Sequence, residues 1–311
     1  MHDNSQNGDA KQVAFDDAAL KRPRELEDWL NFYLYHPLSW KIANGLSRTA
    51  ITPNLVSLAG GLSVVTCAYF YTIPSWPQAV IIGLFAHMLW HVLDGADGDL
   101  ARINGKVSPH GEIVDGLSDY LSHIILYCMM AHLLAAGLGS KVAWAVVIAA
   151  GLSRIVQANF YEVRRRQYQL WVYNRGWLKQ FSRHDISPGI GLNIVAQMYL
   201  RLSQHALAAD RSIDSALSAA QGNPKVQRNV RETIIRHHRP LLGPLGLLSA
   251  NHRTIFLGLA MLAGMPLWYF LYEIILLNGA LIWLKILFIR ADRAMVAELL
   301  TLDGSPRSAR R

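Results

Sequence analysis

Six apolar runs, each near the length that a helix needs to cross a hydrocarbon core, constrain this chain more than any other feature. They fall at residues 51–73, 77–95, 113–138, 142–161, 254–271 and 272–290. ITPNLVSLAGGLSVVTCAYFYTI (51–73) and VAWAVVIAAGLSRIVQANFY (142–161) approach the roughly 20 residues that a bilayer core requires. The chain is 52% hydrophobic and only 17% charged. A large soluble core would also need many apolar residues, but here they are gathered into runs, and the reading is an all-α polytopic membrane protein with six transmembrane helices.

The basic residues set its expected orientation, because Lys and Arg are retained on the cytoplasmic side. The loops IPSWPQ (73–78) and GMP (264–266) carry neither. Lys21, Arg22, Arg24, Lys41, Arg48, Arg102, Lys106, Arg164 to Arg166, Arg290 and Arg293 fall on the opposite side, and Lys141 dissents. Both termini are therefore expected in the cytoplasm, in an inner (plasma) membrane protein, since residues 1–20 lack the apolar stretch of a secretory signal. Cys67 and Cys128 lie inside expected spans without metal-ligand spacing, which argues for packing. The net charge of +8 is concentrated beside the spans and in 162–253, which fits an anionic lipid leaflet; no motif supports nucleic-acid binding.

Residues 1–20 read as a disordered tail and 21–50 as an interfacial amphipathic helix, broken at Pro37, with Trp29, Tyr33 and Trp40 at headgroup depth. Helices 1–4 occupy 51–161. Between them and the last two (254–290) lies 162–253, expected as a cytoplasmic helical insertion with helix-like stretches at 193–209 and 225–239; 291–311 is a cytoplasmic tail.

The second and third apolar runs are joined by DGADGDLARINGKVSPHGEIVDGLSDYLSH (94–123). On helices, Asp94 and Asp97 share one face and Asp115 and Asp119 another. Gly105, Pro109 and Gly111 mark the turn between them. A helical hairpin that aims four carboxylates at each other repels itself unless it binds a hard divalent cation. Gly98 and Gly111 then suit close approach of a bulky ligand, and Arg102 suits a phosphate. The combination indicates phosphoryl chemistry, with a carboxylate as base for an attacking hydroxyl.

The pattern from Asp94 to Asp119 resembles the signature of the CDP-alcohol phosphotransferases, D-x-x-D-G-x-x-A-R-x8-G-x3-D-x3-D, with all eight specified positions filled. The TPN at 52–54, before the first span, is also similar. This resemblance implies six helices around a cytoplasm-facing polar cavity, with two divalent cations (Mg or Mn) on the donor pyrophosphate. It implies transfer of a phospho-alcohol group from a CDP-linked donor to an alcohol acceptor, at least one of them a lipid, with release of CMP. Asp94, Asp97, Asp115 and Asp119 become metal ligands, Asp119 also the general base, and Gly98, Ala101, Arg102 and Gly111 line the CDP site. A homodimer is common in the family.

Other readings are weighed against this one. An EF-hand fails because its third and fifth positions after Asp94 would be Ala96 and Gly98. A divalent-cation transporter would place acidic residues deep in several spans, whereas these cluster near one face. Asp99 and Glu112, outside the signature, read as solvated or capping residues. Arg154 interrupts the fourth span and should face the interior cavity, snorkelling or in a structural pair, or in contact with a substrate phosphate. His91 is a candidate neighbour of the metal ligands.

Overall fold

The computed structural model describes residues 23–173 and 224–302. The tail 1–20, the stretch 193–209 and residues 303–311 lie outside them. Among the described residues every regular element is helical, and six helices are long and apolar enough to cross a membrane. The chain is an all-α polytopic membrane protein.

Short helical turns at Arg24–Leu26 and Asn31–Tyr35 lead into α1 (His36–Leu46). Pro37 does not break this segment. It occupies the first turn of α1, and the preceding turn is widened, with the His36 N–H bonded to the Asn31 carbonyl; such widening accommodates the hydrogen bond that proline cannot donate. One face of α1 is buried against the bundle, with Ser39 Oγ donating to the Val92 carbonyl at 2.7 Å. Trp29, Tyr33 and Trp40 are exposed.

The next helices are α2 (Pro53–Thr72), α3 (Gln78–Ile103), α4 (Pro109–Leu138) and α5 (Ser140–Tyr173). Pro53 opens α2 where a missing N–H costs nothing. α2 packs against both α3 and α4, α1 against α3, and α4 against α5. α5 runs on through Tyr173, past residue 161 where the apolar run ends, because its final turns are covered by protein: Tyr168, Trp171 and Val172 are buried.

After α6 (Pro224–Leu245) a short turn leads to α7 (Ala250–Leu262), then α8 (Pro266–Leu271), a widened turn at Tyr272–Leu276 and α9 (Leu277–Leu302). The expected boundary between the last two spans, at residues 271 and 272, is corrected here. The chain reverses at Ala263–Met265, where Gly264 has φ +68° and Pro266 starts the next helix, a glycine stop followed by a proline start. Hydropathy placed the boundary late because apolar residues continue straight through the turn, although GMP (264–266) stands out as a loop without Lys or Arg. Val64, Trp90, Leu126, Met130, Leu257 and Phe270 belong to the main core, while Ile234, Phe288 and Met295 join a second cluster that seats α6 against α5 and α9.

Candidate active site

The turn between α3 and α4 is short and closed. Gly105, at φ +62°, takes a left-handed conformation, and the Lys106 N–H bonds back to the Ala101 carbonyl at 2.8 Å. Ser108 then caps α4, its Oγ accepting from the Gly111 N–H at 3.1 Å, and Pro109 fills the first helical position. The two acidic helix ends are thereby held side by side.

Across this hairpin, Asp94, Asp115 and Asp119 each present a carboxylate oxygen within 4.8 Å of the others. At that spacing each ionised pair repels by about 3 kcal/mol at an effective dielectric near 20. Asp115 Oδ1 is buried and has no hydrogen-bond partner, an arrangement that buried carboxylates rarely tolerate. An all-oxygen, all-anionic set with an orphaned acceptor suits a hard divalent cation. Asp97, buried at 5% exposure, accepts a hydrogen bond from Ser57 Oγ on α2, and its charged neighbours are Asp115 and Asp94. Ser118 Oγ donates to the Ser57 carbonyl at 3.1 Å, so α2 braces both acidic helices.

Residues 50–200 match the family described as CDP-alcohol phosphatidyltransferase. That match covers slightly less than half of the chain. An archaetidylinositol phosphate synthase of Aeropyrum pernix is 33% identical over 96 residues, 29% of this chain and 47% of that protein. The chain thus spans about half the length of this relative. The acidic hairpin lies within the CDP-alcohol phosphatidyltransferase match, and α6 to α9 lie outside it.

Other positions of the sequence pattern lie around the hairpin. A Cβ on Gly98 would stand 3.6 Å from the Arg102 guanidinium, and one on Gly111 would meet Ser108 Oγ at 3.3 Å and Asn54 Oδ1 at 3.7 Å. The Asn of TPN therefore sits beside the second glycine of the motif. Ala101 and Arg102 are half-buried. Arg102 pairs with Asp99 one turn back.

Asp99 and Glu112 differ from their solvated or capping expectation. Asp99 is buried at 6% exposure with Arg102 as its partner, and Glu112 accepts from Arg166 Nη1 of α5 at 3.0 Å. Arg102 lies one turn from Asp99 on α3 itself, whereas Glu112 gains its cation only when α5 packs beside α4, which spacing along one helix does not reveal. Arg154 Nη1 donates to Tyr269 Oη at 3.2 Å and stands 3.8 Å from Glu273. His91 stacks on Tyr35 at 4.8 Å, and its Nε2 is 2.8 Å from Thr254 Oγ1. Burial, with the charge of Asp28 adding to it, pushes the Tyr35 phenol up to about 12, so it stays neutral beside that imidazole.

Two contributors went unrecognised in the sequence. Ser57 follows TPN by one turn, and Trp90 precedes Asp94 by one turn, its Nε1–H donating to Asp119 Oδ1 at 2.6 Å. The only sequence signal for Trp90 was its register, one turn from a motif aspartate on the same helix face.

Proposed function

We propose that the chain transfers a phosphatidyl or similar phospho-alcohol group from a CDP-alcohol to the hydroxyl of an acceptor alcohol, releasing CMP, in phospholipid or related lipid synthesis. The observation that carries this reading is the convergence of Asp94, Asp115 and Asp119 to within 4.8 Å inside a complete eight-position motif. Asp94, Asp97, Asp115 and Asp119 would hold two divalent cations, Mg or Mn. Bound there, the ions supply charge neutralisation of the pyrophosphate and of the departing CMP.

The chain's own residues do the rest. Asp119 takes the proton of the acceptor hydroxyl while that oxygen attacks the donor phosphorus in line; the new O–P bond forms as the bond to CMP breaks, and CMP leaves as the anion. Gly98, Ala101 and Gly111 keep the donor's path free of side-chain bulk. Arg102 moves its guanidinium between Asp99 and the donor phosphate, a short swing for a half-exposed side chain. Arg154 is committed to Tyr269 and Glu273, and we leave it out of the substrate contacts.

The same reading places the hairpin and both termini in the cytoplasm, 21–50 on the membrane surface and 162–253 as a cytoplasmic elaboration. The exposed Trp29, Tyr33 and Trp40 support the surface helix. The name of the Aeropyrum relative puts an inositol phosphate first among the acceptors to test.

The test is CMP release from purified, lipid-reconstituted protein, crossing a panel of CDP-alcohols with a panel of acceptors in Mg or Mn. One productive pair, silenced by Asp119→Asn, is the expected result. A phosphorylated enzyme trapped with donor alone would overturn direct attack. Divalent-cation flux in proteoliposomes without CMP release would instead favour a transporter.

A further inference from the structure

We infer that Trp90 is a positioning residue for Asp119, its indole N–H holding that carboxylate in the rotamer that meets Asp94 and Asp115. The inference rests on the metal-dependent transfer proposed above. Trp90 lies on α3 four residues before Asp94 and reaches across to α4, where Nε1 is 2.6 Å from Asp119 Oδ1. An indole nitrogen donates and never accepts, so the contact has one polarity, and a bond of this length to a carboxylate is charge-assisted. It occupies one lone pair of Oδ1 on a carboxylate that lies within 4.8 Å of those of Asp94 and Asp115.

The indole is itself held from three helices. It is 6% exposed. On its own helix the His91 ring lies at 4.4 Å, and on α4 the His123 ring meets it edge-on at 4.5 Å. On α2, Gly60 leaves it room: a Cβ there would stand 3.5 Å from Trp90 Cδ1. His123 Nδ1 is 2.8 Å from the Asp119 carbonyl oxygen, which ties the same turn of α4 to this aromatic cluster. Phe or Leu would supply the apolar contact alone. Neither restrains the Asp119 torsion as the indole N–H does, and polar partners of metal ligands typically govern affinity or rate by roughly 10- to 100-fold.

The experiment compares wild type, Trp90→Phe and a lipid-side control, Trp144→Phe, the latter 39% exposed on α5. Mn binding to each protein without substrate is measured by electron paramagnetic resonance titration, with thermal midpoints alongside. Trp90→Phe should weaken Mn binding roughly 10-fold or more and lower kcat in the transfer assay by a similar factor. Its donor KM should stay within about twofold and its thermal midpoint near that of the control. Wild-type Mn affinity and kcat in a folded Trp90→Phe protein would overturn the inference.

A second measurement avoids dependence on that variant's folding. In wild type, one indole N–H resonance among the nine tryptophans should shift in Asp119→Asn and broaden on Mn addition; if no indole signal responds, the inference fails. Both Mn measurements are independent of turnover. A wild type that releases no CMP yet loses Mn affinity through Trp90→Phe would refute the transfer reading and leave the positioning role standing.

Discussion

Glu273 is fully enclosed, and its carboxylate accepts from Tyr127, from Tyr269 at 2.8 Å and from Arg253 at 3.0 Å, with Arg154 3.8 Å away. Arg253, 2% exposed, also donates to Gln157 at 3.0 Å. Removing Arg253 takes away the shorter of the two ion pairs and leaves Glu273 only the longer one to Arg154; breaking a buried pair costs about 3–5 kcal/mol. Arg253→Met should therefore lower the unfolding midpoint in detergent well below that of wild type, and an unchanged midpoint would show that Glu273 is satisfied without it. These two residues were not legible in the sequence. They stand on either side of the reversal at Gly264, and no periodicity links one side of a turn to the other. The convergence of Asp94, Asp115 and Asp119 was legible because one hairpin carries them, so the helical spacings already contain most of the geometry; that Asp97 would be bonded to Ser57 of α2 was not. Arg154 is intermediate: its cost in lipid announced an interior position, but its partners, Tyr269 and Glu273, come from a different helical segment.

At the scale of elements, the placement of α2 decides whether the acidic hairpin keeps its shape. Its small residues let it approach α4 closely: a Cβ on Gly61 would fall 2.4 Å from Ser118 Oγ and 3.4 Å from the Ser118 carbonyl oxygen. Ser118 is also the residue that donates to the Ser57 carbonyl, and Ser57 in turn donates to Asp97. Gly61→Val should push the helices apart and cost about 1–3 kcal/mol, the usual range for overpacking. Gly279, with nothing within 4 Å of its would-be Cβ, serves as the control for valine in a helix. The comparison is read as thermal midpoint together with Mn affinity, and Gly61→Val should lose both while Gly279→Val keeps both. Equal behaviour of the two variants would mean that α2 does not brace the site. The existence of α2 to α5 was plain from hydropathy, whereas the ends of elements were not. α5 extends into polar sequence because tertiary burial sustains it, and the α7 to α8 reversal hides in apolar sequence because its signal is one glycine and one proline.

For the whole molecule, the turns between the candidate spans sort onto two ends. Trp76, in the turn between α2 and α3, donates from Nε1 to the Leu262 carbonyl at 3.1 Å, which puts that turn beside the α7 to α8 reversal. At the other end, Arg166 near the close of α5 reaches Glu112 at the opening of α4. The end marked by Trp76 and Leu262 matches the two segments without Lys or Arg, and the hairpin end matches the basic ones, so charge bias and packing assign the same two groups. Only the labels inside and outside are left to experiment. In a Cys128→Ala background, with Cys67 buried, single cysteines would be placed at Lys106 and Ser75, both exposed. A membrane-impermeant maleimide should modify Ser75→Cys in right-side-out vesicles and Lys106→Cys only in inverted ones. The reverse pattern would put the aspartates on the outer face, away from a cytoplasmic supply of CDP-linked donor, and the proposed reaction would fall with it. Labelling of both positions from one side would contradict the helical order itself.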